Sequence, residues 1–252
     1  MGNRFFEAFF NFFTIPIDLL LIIGIIFFSK LPKEKRVDIH YWLPFFILVF
    51  TVFSENLGAY TNFNFEFKKA VNSYLGNDEY PQFNLWLFNF TKRQAGTILY
   101  LLLIKSWLEP SKKKYINWMI YIFLAIAGIL QFSGIEPLYF NQPIIFAFGA
   151  NMILTGSGLY FVGMITLEKY LEINLLRLLS FWQMTFIMFT FTLTYISSVA
   201  LLYLYEVNPV LGEALFQIDT VMEGINLGIL TLTIGSPLLP GIFEKEPSYG
   251  FS

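Results

Sequence analysis

A chain of 252 residues that is 56% hydrophobic, 20% aromatic and only 13% charged, with a mean hydropathy of +0.60, is not built to be dissolved in water as an ordinary domain. A formal net charge of −2 excludes the concentrated basic surface that nucleic acid requires. The absence of cysteine excludes disulfides, thiolate metal sites, cysteine nucleophiles and palmitoylation together. The expected surroundings are a lipid bilayer.

A helix that crosses about 30 Å of hydrocarbon needs roughly 20 mainly apolar residues. Seven such stretches are predicted, over approximately 9–29, 41–60, 83–107, 115–134, 143–167, 178–205 and 213–239. The expected fold class is therefore all-α: a polytopic seven-transmembrane-helix bundle, with residues 1–252 forming one transmembrane domain. The first stretch is read as a span and not as a signal peptide, because it is too long for an h-region and lacks a small-residue cleavage site before Lys30. Gly2 does not make a myristoylation signal, since position 6 is Phe.

Each stretch carries a polar face at helical spacing, except one. The first presents Asn11, Thr14 and Asp18, and the second ends on Glu55 and Asn56. The third places Asn89, Arg93, Gly96 and Tyr100 on one stripe with Lys92 beside it. The fourth is apolar almost throughout, with Asn117 and Gln131 near its ends, and is expected at the periphery. The fifth offers Asn151, Thr155 and Gly158, and repeats glycine at 149, 156 and 163. The sixth carries Gln183, Thr190, Thr194 and Ser197 along one face, with Trp182 beside Gln183. The seventh stacks Asp219, Glu223 and Asn226 at i, i+4 and i+7, next to a GxxxG formed by Gly224 and Gly228.

Orientation follows from the distribution of Lys and Arg. The loops after the first, third and fifth spans, plus the tail, hold eleven of the sixteen: Lys30, Lys33, Lys35, Arg36, Lys105, Lys112, Lys113, Lys114, Lys169, Arg177 and Lys245. The opposite side holds three, Arg4, Lys68 and Lys69, while Lys92 and Arg93 lie inside the third span. The N-terminus is expected outside and the C-terminus in the cytoplasm, in a bacterial inner membrane. The longest connection runs from 61 to 82 on the outer side, so no soluble head is expected between the spans.

Ionisable groups at membrane depth are costly and are candidates for function by default. The chain has six: Asp18, Glu55, Lys92, Arg93, Asp219 and Glu223. At about 1.5 Å per residue Asp18, Lys92 and Glu223 share a level near the midplane. The expected ligand- or ion-binding core comprises these six with Asn56, Asn89, Asn151, Gln183 and Asn226, in which Lys92 and Arg93 neutralise some of the four acids. Such a network either fixes helix register or builds a binding site, and both readings stay open.

Several chemistries are excluded. The single histidine, His40, falls in the first cytoplasmic loop, where it is expected to be solvated; paired-histidine haem ligation and intramembrane zinc are ruled out. The last span has no lysine for a retinal Schiff base, and Gly156-Ser157-Gly158 lies within a helix with no histidine at its depth. No catalytic residue, cofactor or metal site is expected, and the protein is not read as an enzyme.

The segments Glu55-Asn56-Leu57-Gly58-Ala59-Tyr60, Asn84-Leu85-Trp86-Leu87-Phe88-Asn89-Phe90 and Phe181-Trp182 resemble a family of bacterial seven-helix membrane proteins without assigned function. Lys92-Arg93 departs from that pattern, which more usually has apolar or acidic residues there. The resemblance implies seven helices and no activity, although similar architectures occur as membrane input modules of bacterial signalling systems. Three function classes follow: a receptor-like sensory module with a polar pocket open to the outer side, a small transporter or ion or proton channel, and an accessory subunit of a larger membrane complex. The expected partners are the bilayer, a small-molecule or ion ligand, and a cytoplasmic or membrane partner protein.

Overall fold

The structure is a computed structural model that describes residues 9–10, 13–79, 81–170 and 172–247. Asn11 of the expected first stripe and Arg4 of the charge count lie outside the described residues. Regular structure among the described residues is entirely helical. The long helices are α1 (Thr14–Lys30), α2 (Ile39–Phe63), α3 (85–107), α4 (Pro110–Phe132), α5 (Pro143–Thr166), α6 (Leu179–Val207) and α7 (Pro209–Gly235). Helix α3 is composite: one turn over Leu85–Phe88, a π-helical segment over Asn89–Ala95, and an α-helix over Gly96–Trp107.

Among the described residues, five stretches are long and apolar enough to cross a membrane: Ile39–Phe63, Pro110–Phe132, Pro143–Thr166, Leu179–Ser197 and Pro209–Leu238. Their outward surfaces carry large apolar groups such as Phe53, Ile129, Val162, Phe189 and Ile218, a coat that water would not tolerate. The chain is thus a multi-pass membrane protein. The other two expected spans are helical as well, but α1 has 17 residues and α3 is divided by its π segment.

Local sequence sets the boundaries. Proline at the first position starts α4, α5 and α7, where its missing N–H costs nothing. Asp38 accepts a hydrogen bond from the His40 amide at 3.1 Å, and Asn208 from the Leu211 amide at 3.2 Å, capping α2 and α7. Gly134 takes φ +75° just after α4, a left-handed turn that glycine adopts without penalty.

The connection expected over 61–82 is in fact structured. Helix α2 continues to Phe63, and a further helix, Phe65–Tyr74, lies across this end of the bundle. Asn72, fully buried, ties it down: its amide nitrogen donates to the carbonyls of Lys68, Pro81 and Phe83 at 3.1, 3.2 and 2.7 Å. We call this end the cap face. At the opposite end, the tail face, the C-terminal segment returns to α6: the Glu246 carboxylate accepts from the Ser180 amide at 2.9 Å and hydroxyl at 2.6 Å. Burial pushes the Glu246 carboxyl above its ordinary range in spite of those two bonds. His40 is not simply solvated as expected. Its ring contacts Asp38 at 2.8 Å and the Ser106 carbonyl at 3.1 Å, and packs 4.4 Å from Trp107.

Six helices close a ring in the order α1, α2, α3, α5, α6, α7 and back to α1, with α2 and α7 also touching across it. Helix α4 packs outside, against α3 and α5. Only 17% of its apolar window is buried, against 39–44% for the other four spans, which places it at the periphery. The tail-face half of the ring is a closely packed core in which Leu43, Leu101, Ile104, Met184, Leu230 and Ile234 are 0–2% exposed.

The two glycine motifs behave differently. A Cβ on Gly149 would stand 2.7 Å from the Thr97 hydroxyl oxygen and 3.1 Å from the Phe123 ring, so α5 approaches α3 and α4 only because position 149 lacks one. A Cβ on Gly224 or Gly228 meets no described atom within 4 Å, so among the described residues the GxxxG of α7 makes no close helix contact. Gly149→Ala is expected to cost about 1–3 kcal/mol by overpacking, whereas Gly228→Ala gains up to about 1 kcal/mol of helix propensity. Unfolding of the detergent-solubilised protein measures both; equal responses would contradict this packing.

Candidate functional site

The site begins with the irregularity in α3. A π segment bonds i to i+5 instead of i+4, which offsets the residues before it from those after it by part of a turn. The single stripe expected for Asn89, Arg93, Gly96 and Tyr100 is thereby split. Gly96 and Tyr100 look into the ring together with Lys92. Asn89 and Arg93 are turned toward the α4–α5 connection: the Asn89 side-chain amide donates to the Leu138 and Phe140 carbonyls at 2.7 and 2.5 Å, and Arg93 donates to the Asn141 side chain at 3.0 Å. The Arg93 guanidinium is sandwiched 4.9 and 4.4 Å from the ring centres of Phe88 and Phe146.

Lys92 joins three helices. Its ammonium lies 2.6 Å from the Glu55 carboxylate on α2 and 3.0 Å from the Glu223 carboxylate on α7. The three side chains are 23–26% exposed, and that surface faces internal cavities. Phe13 and Phe88 flank the ammonium at 5.5 and 5.6 Å. Asp219, one turn nearer the cap face than Glu223, accepts a hydrogen bond from Thr194 of α6 at 3.3 Å.

These groups line a cavity of about 460 Å³ at the centre of the ring, with walls from α1, α2, α3, α5, α6 and α7. A second cavity of about 200 Å³ shares Glu55, Lys92, Ser54 and Thr91 with it and extends toward Asn62 and Asn84 under the cap. The Glu55–Lys92 pair thus stands where the two meet. Both cavities occupy the cap-face half, above the apolar core.

Of the expected site residues, the structure brings Glu55, Lys92, Asp219, Glu223 and Asn226 to the central cavity. Asn226, 1% exposed, donates to the Tyr100 hydroxyl at 2.9 Å. Asp18 and Asn56 form a separate pair, with the Asn56 amide donating to Asp18 at 2.9 Å, beside another hollow lined by Phe9, Phe10 and Ile15. Gln183 is buried near the tail face, accepting from Trp107 at 2.5 Å and donating to Thr233 at 3.2 Å. Asn151 is exposed on the outside of α5, because the close face of that helix is the glycine face of 149 and 156. Arg93 does not neutralise the acids of the central cavity.

Sequence reasoning missed Glu136. It is 3% exposed, and its two carboxylate oxygens accept from the Ile144 and Ile145 amides at 2.6 and 2.8 Å, closing the N-terminus of α5. An acid a few residues before the Pro143 helix start was the available signal. The hydroxyl residues Ser54, Thr91 and Thr220 also line the cavity unannounced, since isolated Ser and Thr in a span carry no pattern.

No group of three or more His, Cys, Asp or Glu residues suited to a metal ion occurs among the described residues. Comparison of the chain with protein-family models, with curated proteins and with solved structures returns no match.

The bridging role of Lys92 is testable. Lys92→Met leaves two partly buried carboxylates facing each other and is expected to cost on the order of 3 kcal/mol. Adding Glu55→Gln and Glu223→Gln to Lys92→Met is expected to restore most of that loss, measured by denaturant unfolding in detergent. No loss in the single variant, or no recovery in the triple, would contradict the arrangement.

Proposed function

We propose that this protein is a seven-span receptor-like sensory module of a bacterial inner membrane, with its N-terminus outside. It binds a small molecule or ion in the central cavity and passes the signal to a cytoplasmic or membrane partner, without catalysis. The observation that carries this reading is the asymmetry of the ring: a ligand-sized cavity with charged walls fills the cap-face half, and tightly packed apolar side chains close the tail-face half. A site set toward one side and separated from the other by packed side chains suits detection. The eleven-to-three distribution of Lys and Arg supports the orientation, with the cap face outside and the basic loops at the tail face available to a partner. Helices α1 and α3 complete the count of seven; α3 gives up regular geometry where Lys92 and Arg93 enter the bundle, a place where π segments recur at functional sites.

A transporter is the second reading, favoured by one feature: two cavities in series with the Glu55–Lys92–Glu223 bridge between them. Reconstitution separates the two. Wild-type protein in liposomes under imposed proton, sodium or potassium gradients is expected to give no flux above that of empty vesicles. Flux that disappears in Glu223→Gln would replace the receptor reading by transport.

A further inference from the structure

The hydrogen-bonding inventory of the central cavity is unbalanced. Ser54, Thr91 and Thr220 each donate their only hydroxyl proton to a carbonyl of their own helix, at Phe50, Leu87 and Phe216, over 2.7, 2.8 and 2.9 Å. Thr190 donates to the Met222 carbonyl at 3.4 Å, and Thr194 to Asp219 at 3.3 Å. A hydroxyl that has spent its proton offers only lone pairs. All five residues line the cavity, so these five hydroxyls face it as acceptors, while the Tyr100 hydroxyl, which accepts from Asn226, keeps its proton.

The charged groups tilt the same way. Glu55, Asp219 and Glu223 face the cavity against one cation, Lys92, and two of the three N–H bonds of that ammonium are directed to Glu55 and Glu223. Arg93 is committed to Asn141 and to the Phe88 and Phe146 rings, and forms no ion pair with these acids among the described residues. Asp219 therefore meets a threonine hydroxyl and no cation among the described contacts.

Asn226 supplies a separate observation. Its nitrogen bonds the Tyr100 hydroxyl, but its oxygen is buried without a hydrogen-bond donor, in a residue that lines the same cavity on the same stripe as Asp219 and Glu223. A buried acceptor left open costs about 1–3 kcal/mol, and a ligand N–H would recover it. The remaining wall is aromatic: Phe50, Phe88, Phe146, Phe191 and Phe216 all contribute. Ring faces attract cations, and the rings together provide apolar surface for an organic body. A volume of about 460 Å³ suits a small organic molecule and far exceeds a bare ion.

We infer that the cavity binds a protonated organic amine with an apolar or aromatic body, its ammonium set between Asp219, Glu223 and the Asn226 oxygen. This assignment rests on the reading of the cavity as a ligand site and names the ligand's chemistry. The amine donates to the acceptors of the wall, it halves the acid excess, and its body covers the phenyl rings. An anion would face three carboxylates, and a neutral molecule would leave the charge imbalance in place.

The full-length protein, purified in detergent, is titrated calorimetrically with three matched probe sets. These are the ammonium, alcohol and carboxylate forms of 2-phenylethyl, 4-phenylbutyl and naphthylmethyl compounds. In at least one set the ammonium is expected to bind tenfold or more tightly than its alcohol, with no binding of the carboxylate. Asp219→Asn is expected to lower ammonium affinity about tenfold and alcohol affinity less than twofold. The wild-type ranking decides the matter even if the variant does not fold. Alcohols or carboxylates that bind as well as the ammonium forms would overturn the cationic ligand and leave the ligand site standing. Failure of every probe to bind would overturn both.

Discussion

An ammonium and two carboxylates at membrane depth each bring a desolvation cost of several kcal/mol, which close contact and hydrogen bonding can offset but not erase. Lys92 meets that condition by reaching Glu55 and Glu223 at 2.6 and 3.0 Å, and in doing so ties α3 to α2 and α7. Much of the interior depends on this. With the three charges engaged, α2, α3 and α7 are held together around the cavity wall they share. The acids left over, and the acceptors around them, then give that cavity its chemical character.

The π segment makes the bridge possible. A regular helix through Asn89–Ala95 keeps Asn89, Arg93, Gly96 and Tyr100 on one face, and would present Arg93 to the acids as readily as Lys92. The wider turns let the two neighbouring cations part, Lys92 into the ring and Arg93 to the phenyl rings and Asn141 near the cap face. Thr97 then bonds the Arg93 carbonyl at 2.6 Å, and Gly149 of α5 closes over Thr97. The irregular stretch is thus held by packing against α5.

How far the sequence discloses this depends on the range of each interaction. Spans and their order are legible because runs of apolar residues are local, and the peripheral place of α4 follows from its lack of a polar face. The Asp219, Glu223 and Asn226 stripe reads correctly because α7 is regular there. The stripe on α3 does not, because nothing local marks seven residues as π-helical. Asn151 misleads for another reason: the periodicity of α5 shows two candidate faces, and only the neighbours decide that glycine and not asparagine points inward. Glu136 and the fold of the cap are long-range bonds between connections, outside the reach of helical periodicity. The spent hydroxyl protons of Ser54, Thr91 and Thr220 emerge only with side-chain geometry.

That the cavity is reached from the cap side and not from the tail side is the proposed function's central claim, and the cysteine-free chain allows it to be probed cleanly. Single cysteines are introduced at Thr51, on the cavity wall, and at Ile104, in the apolar core below it. A membrane-impermeant thiol reagent is then applied to intact cells. The account predicts that Thr51→Cys is labelled from outside and that Ile104→Cys is not. Protection of Thr51→Cys from outside, or labelling of both positions, would contradict it.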